Sequence, residues 1–273
     1  MNTLQNLHQH TVFCDGKDTP EEVVKAAIAK NFGAIGFSGH VYMHYEKDYS
    51  MSYTAQEQYK QEVARLKEAY RDHIEVYCGL EYDFCSDASQ EGFDYLIGSI
   101  HGLKIDGQDI EVDHTAQRVR EVIDTHFGGD GLAYARAYYR DLATLPEYGR
   151  FDILGHFDLI TKHKEKVTLF DDTCKEYRDA ALEAASALAG KIPFFEVNTG
   201  AIARGNRTSP YPDAFLIREL KNLGFGAVIS SDCHDVRFID CWFKEAQELL
   251  AACGFREKYI LTKNGFQAVG IFE

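Results

Sequence analysis

The chain has no run of five or more basic residues, and Lys+Arg 29 against Asp+Glu 43 leaves a formal net charge of −14. A phosphate backbone would be repelled, so composition argues against nucleic acid as a partner. No apolar stretch approaches the ~20 residues that span a bilayer, and residues 1–10 lack both the basic start and the apolar core of a signal peptide. The expectation is a soluble, cytoplasmic protein with no membrane partner. Its seven cysteines are odd in number, scattered and without a CxxC pair. They make neither a disulfide framework nor a thiolate zinc site, and read as reduced thiols. Nor is there a linker, low-complexity tract or repeat. What is there is 273 residues, 45% hydrophobic and 26% charged, enough to bury one large core, and a single domain over 1–273 is expected.

Short runs rich in β-branched and aromatic residues fall at 4–10, 34–40, 74–83, 95–101, 151–158, 194–199 and 227–234. Helical periodicity separates them, at about 19–31, 54–71, 114–127, 132–145, 171–189, 212–222 and 243–253. The clearest start is Thr19-Pro20-Glu21-Glu22, with a capping threonine, a first-turn proline and a glutamate to complete a capping box. Strict alternation implies right-handed crossovers and a parallel sheet, and this many units favour a closed β/α barrel.

Polar residues interrupt these strands mostly at their C-terminal ends, the functional rim of such a barrel. His8 and His10 are two apart in the first strand, so both imidazoles point one way, and Asp232 and His234 repeat the spacing in the seventh. His40, Glu81, His101 and His156 each close another strand, and Asp15 follows the first. One such histidine alone is more often structural than ligating. Nine metal-competent side chains on one rim are not, because buried carboxylates brought together need cations. By contrast His44, His73, His114, His126 and His163 fall in loops or helices and read as surface residues, His126 as a helix C-terminal cap.

Cys14 and Cys233 flank the proposed ligands, but Cys233 should face away from them and Cys14 has no base beside it, which argues against a thiolate nucleophile. Arg204 and Arg207 follow the sixth strand on the same rim and suggest a fork for an anionic substrate. The loop after His40 carries Tyr42, Tyr45, Tyr49 and Tyr53, either ordinary packing or a lid.

In chain order His8-Gln-His-Thr-Val-Phe-Cys-Asp15, Gly39-His40, Gly79-Leu-Glu81, Gly98-Ser-Ile-His101, Gly155-His156-Phe-Asp-Leu-Ile, Glu196-Val-Asn-Thr and Ser231-Asp-Cys-His234 resemble the successive motifs of the polymerase and histidinol phosphatase (PHP) superfamily, from about Leu4 to Asp235. Within it the likeness is greatest to the histidinol-phosphate phosphatases, through Gly155-His-Phe-Asp-Leu-Ile and the stretch from Asn198 to Tyr211-Pro. The resemblance implies an α/β fold, a distorted (β/α)7 TIM-like barrel of parallel strands with the metal site at their C-terminal ends. It implies three divalent transition-metal ions, of zinc, iron or manganese. His8, His10, Glu81 and Asp232 would hold the first, Glu81, His101 and His156 the second, and Asp15, His40 and His234 the third. Cys14 departs from the serine common in the family beside the aspartate.

The activity implied is hydrolysis of a small-molecule phosphate ester, L-histidinol phosphate, to L-histidinol and phosphate in histidine biosynthesis. Ions of this kind lower the pKa of a bridging water and neutralise phosphoryl charge, so hydroxide can attack phosphorus without a covalent enzyme intermediate. Glu81, Asp15 and His234 would act at the reacting centre, with His234 or a water as a source of the leaving-group proton. Tyr42, Tyr45 and Glu46 would read the cationic end of the substrate. The alternatives are another small phosphoester, a phosphotyrosine protein, or a noncatalytic metal-binding module, the last disfavoured by the intact ligand set.

Overall fold

The computed structural model describes residues 2–273. In chain order its strands are β1 (Gln5–Asn6), β2 (Ala34–Phe37), β3 (Glu75–Asp83), β4 (Tyr95–Ser99), β5 (Gly102–Ile105), β6 (Gln108–Glu111), β7 (Ile153–Leu154), β8 (Phe194–Asn198), β9 (Gly226–Ser230), β10 (Glu257–Thr262) and β11 (Gly265–Gly270). Seven of them form one sheet in the order β1-β2-β3-β4-β7-β8-β9, every neighbouring pair parallel. The ring closes just beyond β9, where the His10 N–H donates to the Cys233 carbonyl at 2.9 Å and the Cys233 N–H to that of His8 at 3.2 Å. The result is the distorted (β/α)7 barrel. No helix among the described residues is long and apolar enough to cross a membrane.

The helices are α1 (Pro20–Ala29), α2 (Tyr53–Ala69), α3 (Ala116–Phe127), α4 (Gly131–Leu142), α5 (Lys175–Leu188), the single turn α6 (Gly200–Ala203), α7 (Ala214–Asn222) and α8 (Phe243–Ala252). α1 starts on the capping box, with the Thr19 N–H donating to Glu22 Oε2 at 2.8 Å and the Glu22 N–H to Thr19 Oγ1 at 3.3 Å. Ser52, Thr115 and Asp130 accept from first-turn amides of α2, α3 and α4 in the same way. Val23, Val24 and Ala27 then bury the inner face of α1, as a helix covering a parallel sheet must.

Most of the barrel strands are shorter than the sequence patterning suggests, β1 and β7 the most, each keeping two residues. Ladder bonds give way to side-chain ones where the chain turns to aim imidazoles inward. After β1, Asn6 Oδ1 takes the N–H groups of His8 and Ser231, at 3.1 and 3.2 Å. Two hairpins were not anticipated, β5–β6 beside the rim and β10–β11 at the opposite end. The second is tied to β1 through Gln5, whose Nε2 donates to the Leu261 carbonyl at 2.9 Å and whose Oε1 accepts from the Leu261 N–H at 2.7 Å. It closes a small apolar layer with Leu7, Tyr95, Ile97 and Val228. Tyr95 crosses the barrel interior, its hydroxyl donating to the Phe37 carbonyl at 2.9 Å. A Cβ on Gly36 or Gly79 would lie 2.4 or 2.3 Å from that ring or its hydroxyl, so both positions must be glycine.

Candidate metal centre and its cavity

All nine side chains singled out in the sequence meet at the C-terminal mouth of the barrel. Glu81, near the end of β3, is their hub: its Oε2 lies 2.9 Å from His40 Nδ1, 3.2 Å from His8 Nε2 and 3.5 Å from His10 Nε2, and its Oε1 2.8 Å from His156 Nε2 and 3.4 Å from His101 Nε2. Three groups each bring one ligand atom per residue within 4.8 Å: His10, Asp15, His40 and His234; His8, His10 and Asp232; and His40, Glu81 and His101. His10 and His40 thus face two groups each. Asp232 reaches His10 at 3.2 Å from a left-handed backbone (φ 46), a costly conformation for a residue with a Cβ.

The charges fit this assembly. Burial would lift the carboxyl of Glu81, but the His40, His8 and His101 rings hold it well below the usual range. Burial opposes Asp232 likewise, and Arg204 and His8 keep it ionised. Burial, with His234 and His40 beside it, pushes His10 down to about 3, leaving a neutral ring of the kind that can hold a metal ion. His8 is lifted above its ordinary value against its own burial, by Glu196, Glu81 and Asp232. Four buried atoms that face one another, His8 Nε2, His10 Nε2, His40 Nδ1 and Glu81 Oε2, have no hydrogen-bond partner. Lone pairs crowded in this way are satisfied by cations, and imidazole with carboxylate suits zinc, iron or manganese better than calcium or magnesium.

Behind the ligands stand residues to which the sequence reading gave no role. Glu196 of β8 accepts from His8 Nδ1 at 2.9 Å, and Asp83 Oδ2 lies 3.3 Å from His101 Nδ1. In front lies a cavity of about 470 Å³ whose walls include Tyr49, Glu111, Asp113, Lys162, His163 and Arg204. Burial pushes the carboxyl of Glu111 up, with Glu46 and Asp113 adding to it, and among the described residues it has no ion-pair partner. Asp113 is paired with Lys162.

The expected fork of two arginines is split. Arg204 lines the cavity, held by NH2 on Asp232 Oδ2 at 2.9 Å and NH1 on the Asp232 carbonyl at 3.0 Å. Arg207 turns inward, is 3% exposed, and donates to Asp213 Oδ1 and Thr161 Oγ1, both at 2.6 Å. In the loop after His40 it is Tyr49 that reaches the cavity, its ring 4.9 Å from that of His40. Tyr42 packs on Tyr53 at 4.4 Å, Tyr45 points its hydroxyl to Met43 Sδ at 3.3 Å, and Glu46 Oε1 accepts from the Asp48 N–H at 2.9 Å, so none of the three lines the walls. Among the histidines read as surface residues, His44, His73, His114 and His126 are exposed, His114 also lining the cavity, but His163 is buried and lines the cavity. His163 Nε2 lies 2.6 Å from the His114 carbonyl.

Of the wall residues that escaped the sequence reading, Glu111 and Asp113 sit on or just after the β5–β6 hairpin, whereas Lys162 and His163 follow β7. The signal for the hairpin was present: Asp106-Gly107 between alternating residues marks a two-residue turn, and both adopt positive φ, 51 and 78.

Comparison with known proteins agrees with this geometry. A model of the PHP domain matches residues 6–200. A protein of Deinococcus radiodurans named probable histidinol-phosphatase is 26% identical over 269 residues, 94% of this chain and 96% of its own length. A histidinol-phosphatase of Bacillus subtilis is 25% identical over 252 residues, 83% of this chain and 92% of its own. The crystal structure of histidinol phosphate phosphatase from Lactococcus lactis, complexed with zinc, L-histidinol and phosphate, superposes with a TM-score of 0.73 at 23% identity, covering 98% of this chain and all of that one (100%).

Proposed function

The chain belongs to the PHP domain family, and from that premise we propose that it is a metal-dependent phosphomonoesterase that hydrolyses L-histidinol phosphate to L-histidinol and phosphate. The observation that carries the reading is the convergence of nine imidazole and carboxylate side chains beneath a cavity with cationic groups on its wall. The substrate is that of the relatives of similar length, whose names specify histidinol phosphate.

As the family resemblance implies, His8, His10, Glu81 and Asp232 would hold one ion, Glu81, His101 and His156 a second, and Asp15, His40 and His234 a third; the ligand-atom groups in the structure overlap instead at His10 and His40. When bound, such ions supply Lewis-acid charge to the phosphoryl oxygens and lower the pKa of water. The protein's own residues do the rest. Arg204, fixed against Asp232, presents its remaining N–H donors to a phosphoryl oxygen. Lys162 lies on the same wall, its charge matched by Asp113. His234, 20% exposed and 3.1 Å from Asp15 Oδ2, would help hold the third ion, and the proton for the leaving oxygen would come from water in the open cavity. Glu111, which lines the cavity and has no ion-pair partner among the described residues, is the carboxylate available to the ammonium of the substrate.

The test is turnover by zinc- or manganese-reconstituted protein on a panel of small phosphomonoesters. Histidinol phosphate should give the highest kcat/KM by at least about tenfold. Equal rates across the panel would point to a broad phosphatase, and no turnover of any ester would remove the enzymatic reading.

A further inference from the structure

Glu196 is a fully buried carboxylate in the middle of β8, and among the described residues no lysine or arginine pairs with it. A buried charge of this kind costs several kcal/mol unless its surroundings repay it. Its oxygens are filled by four groups. Oε2 accepts from His8 Nδ1 at 2.9 Å and from the Ser230 hydroxyl. Oε1 accepts from the main-chain N–H of His156 at 2.8 Å and from Asn198 Nδ2 at 2.8 Å. His8 stands after β1 and His156 after β7, so one side chain fastens ligands from opposite sides of the barrel mouth.

The orientation of His8 follows. With Nδ1–H given to Glu196, the lone pair of Nε2 is directed to Glu81 Oε2, 3.2 Å away, and Asp232 Oδ1, 3.7 Å away. A carboxylate on the far nitrogen fixes the ring's tautomer and raises its basicity as a ligand. Asp15, His40 and His234 share no hydrogen bond with Glu196. We propose that Glu196 is a positioning residue, the carboxylate that holds His8 and the His156 main chain in ligating geometry and so sets zinc affinity at the group of His8, His10 and Asp232. This rests on the proposal that ions sit among these ligands, but it does not depend on which ester is hydrolysed.

Glu196→Gln keeps the shape and removes the charge, and its amide NH2 must oppose one of the N–H groups the carboxylate accepts. The experiment equilibrates the full-length protein and the variant with zinc at graded, chelator-buffered concentrations, and measures zinc per chain by elemental analysis. Anomalous scattering at the zinc edge then shows which group has emptied. Zinc should bind roughly 10- to 100-fold more weakly at the His8 group, while the group of Asp15, His40 and His234 fills as in the parent. Thermal melting of the metal-free proteins checks that both are folded. Ser230→Ala, which loosens Glu196 without touching a ligand, should give a smaller loss at the same group, and it decides the matter if Glu196→Gln does not fold. Unchanged zinc binding, or an equal loss at every group, would overturn the inference. Zinc binding as described with no ester hydrolysed would overturn the proposed function alone.

Discussion

Glu81 Oε1 lies 2.8 Å from His156 Nε2, a contact that joins β3 to the segment following β7. The other oxygen of the same carboxylate is 2.9 Å from His40 Nδ1, so Glu81 is common to both sides of the ligand cluster. On the proposed division of the ligands Glu81 would serve two ions, so its removal would leave both undercharged. Glu81→Gln should lower kcat/KM by at least about 10³-fold, about 4 kcal/mol, and reduce bound metal at two groups. Steady-state kinetics with elemental analysis checks this, and near-normal turnover would show that Glu81 is no bridge.

The two arginines should now behave oppositely. Arg204→Ala removes a cavity donor and should cost roughly 10²-fold in kcat/KM, about 3 kcal/mol, with a smaller loss of stability than Arg207→Ala, because Arg204 is partly exposed where it pairs with Asp232. Arg207→Ala leaves the buried Asp158 and the half-buried Asp213 without their common cation, and should cost about 3–5 kcal/mol of stability. Its kcat/KM per folded molecule should stay within about threefold of the parent. Urea unfolding beside kinetics separates the two outcomes, and a catalytic loss in Arg207→Ala with intact stability would return it to the cavity.

Eight of the nine candidate ligands could be read in the sequence because they close strand-like runs, where period-two alternation dictates direction and His8 and His10 had to share a face, whereas Asp15 lies in the turn beyond the first run. The same logic could not reach the substrate wall. Glu111 and Asp113 owe their place to a hairpin that departs from the strand–helix alternation, and its Asp106-Gly107 turn is a local signal that the barrel pattern obscures. Arg207 was misplaced because spacing after a strand says which rim a loop occupies but not which way a long side chain turns. Here Asp158 and Asp213 draw it inward. Glu196 was visible as a motif residue, but its role depends on the distant His8 and His156.

Cys14 lies beside the ligands, its Sγ 3.5 Å from His10 Nδ1, but burial, reinforced by Asp15, pushes the thiol up to about 12. At pH 8 only about 10⁻⁴ of it is thiolate, and reactivity should rise about tenfold per pH unit toward that value. Iodoacetamide at pH 8 should therefore leave Cys14 unmodified in the folded protein, as read by peptide mass spectrometry. Cys14→Ser should keep kcat/KM within about twofold. Loss of activity in that variant would mean that the thiol takes part in the chemistry.

Under the proposed function, we assign the cationic end of the substrate to Glu111 rather than to Tyr42, Tyr45 and Glu46, because only Glu111 among these lines the cavity. Asp113 offers no alternative, its charge being matched by Lys162. Glu111→Gln should lower the ratio of kcat/KM for histidinol phosphate to that for p-nitrophenyl phosphate by about tenfold, about 1.4 kcal/mol, mainly through KM for the former. Burial raises the carboxyl of Glu111, so it takes up a proton at a higher pH than an exposed glutamate. Below that pKa the attraction is lost, and KM for histidinol phosphate should rise as pH falls through it in the parent but not in Glu111→Gln. Replacing Tyr42, Tyr45 and Glu46 together should leave the ratio unchanged. An equal loss on both esters in Glu111→Gln would show that this carboxylate shapes the cavity without selecting its occupant.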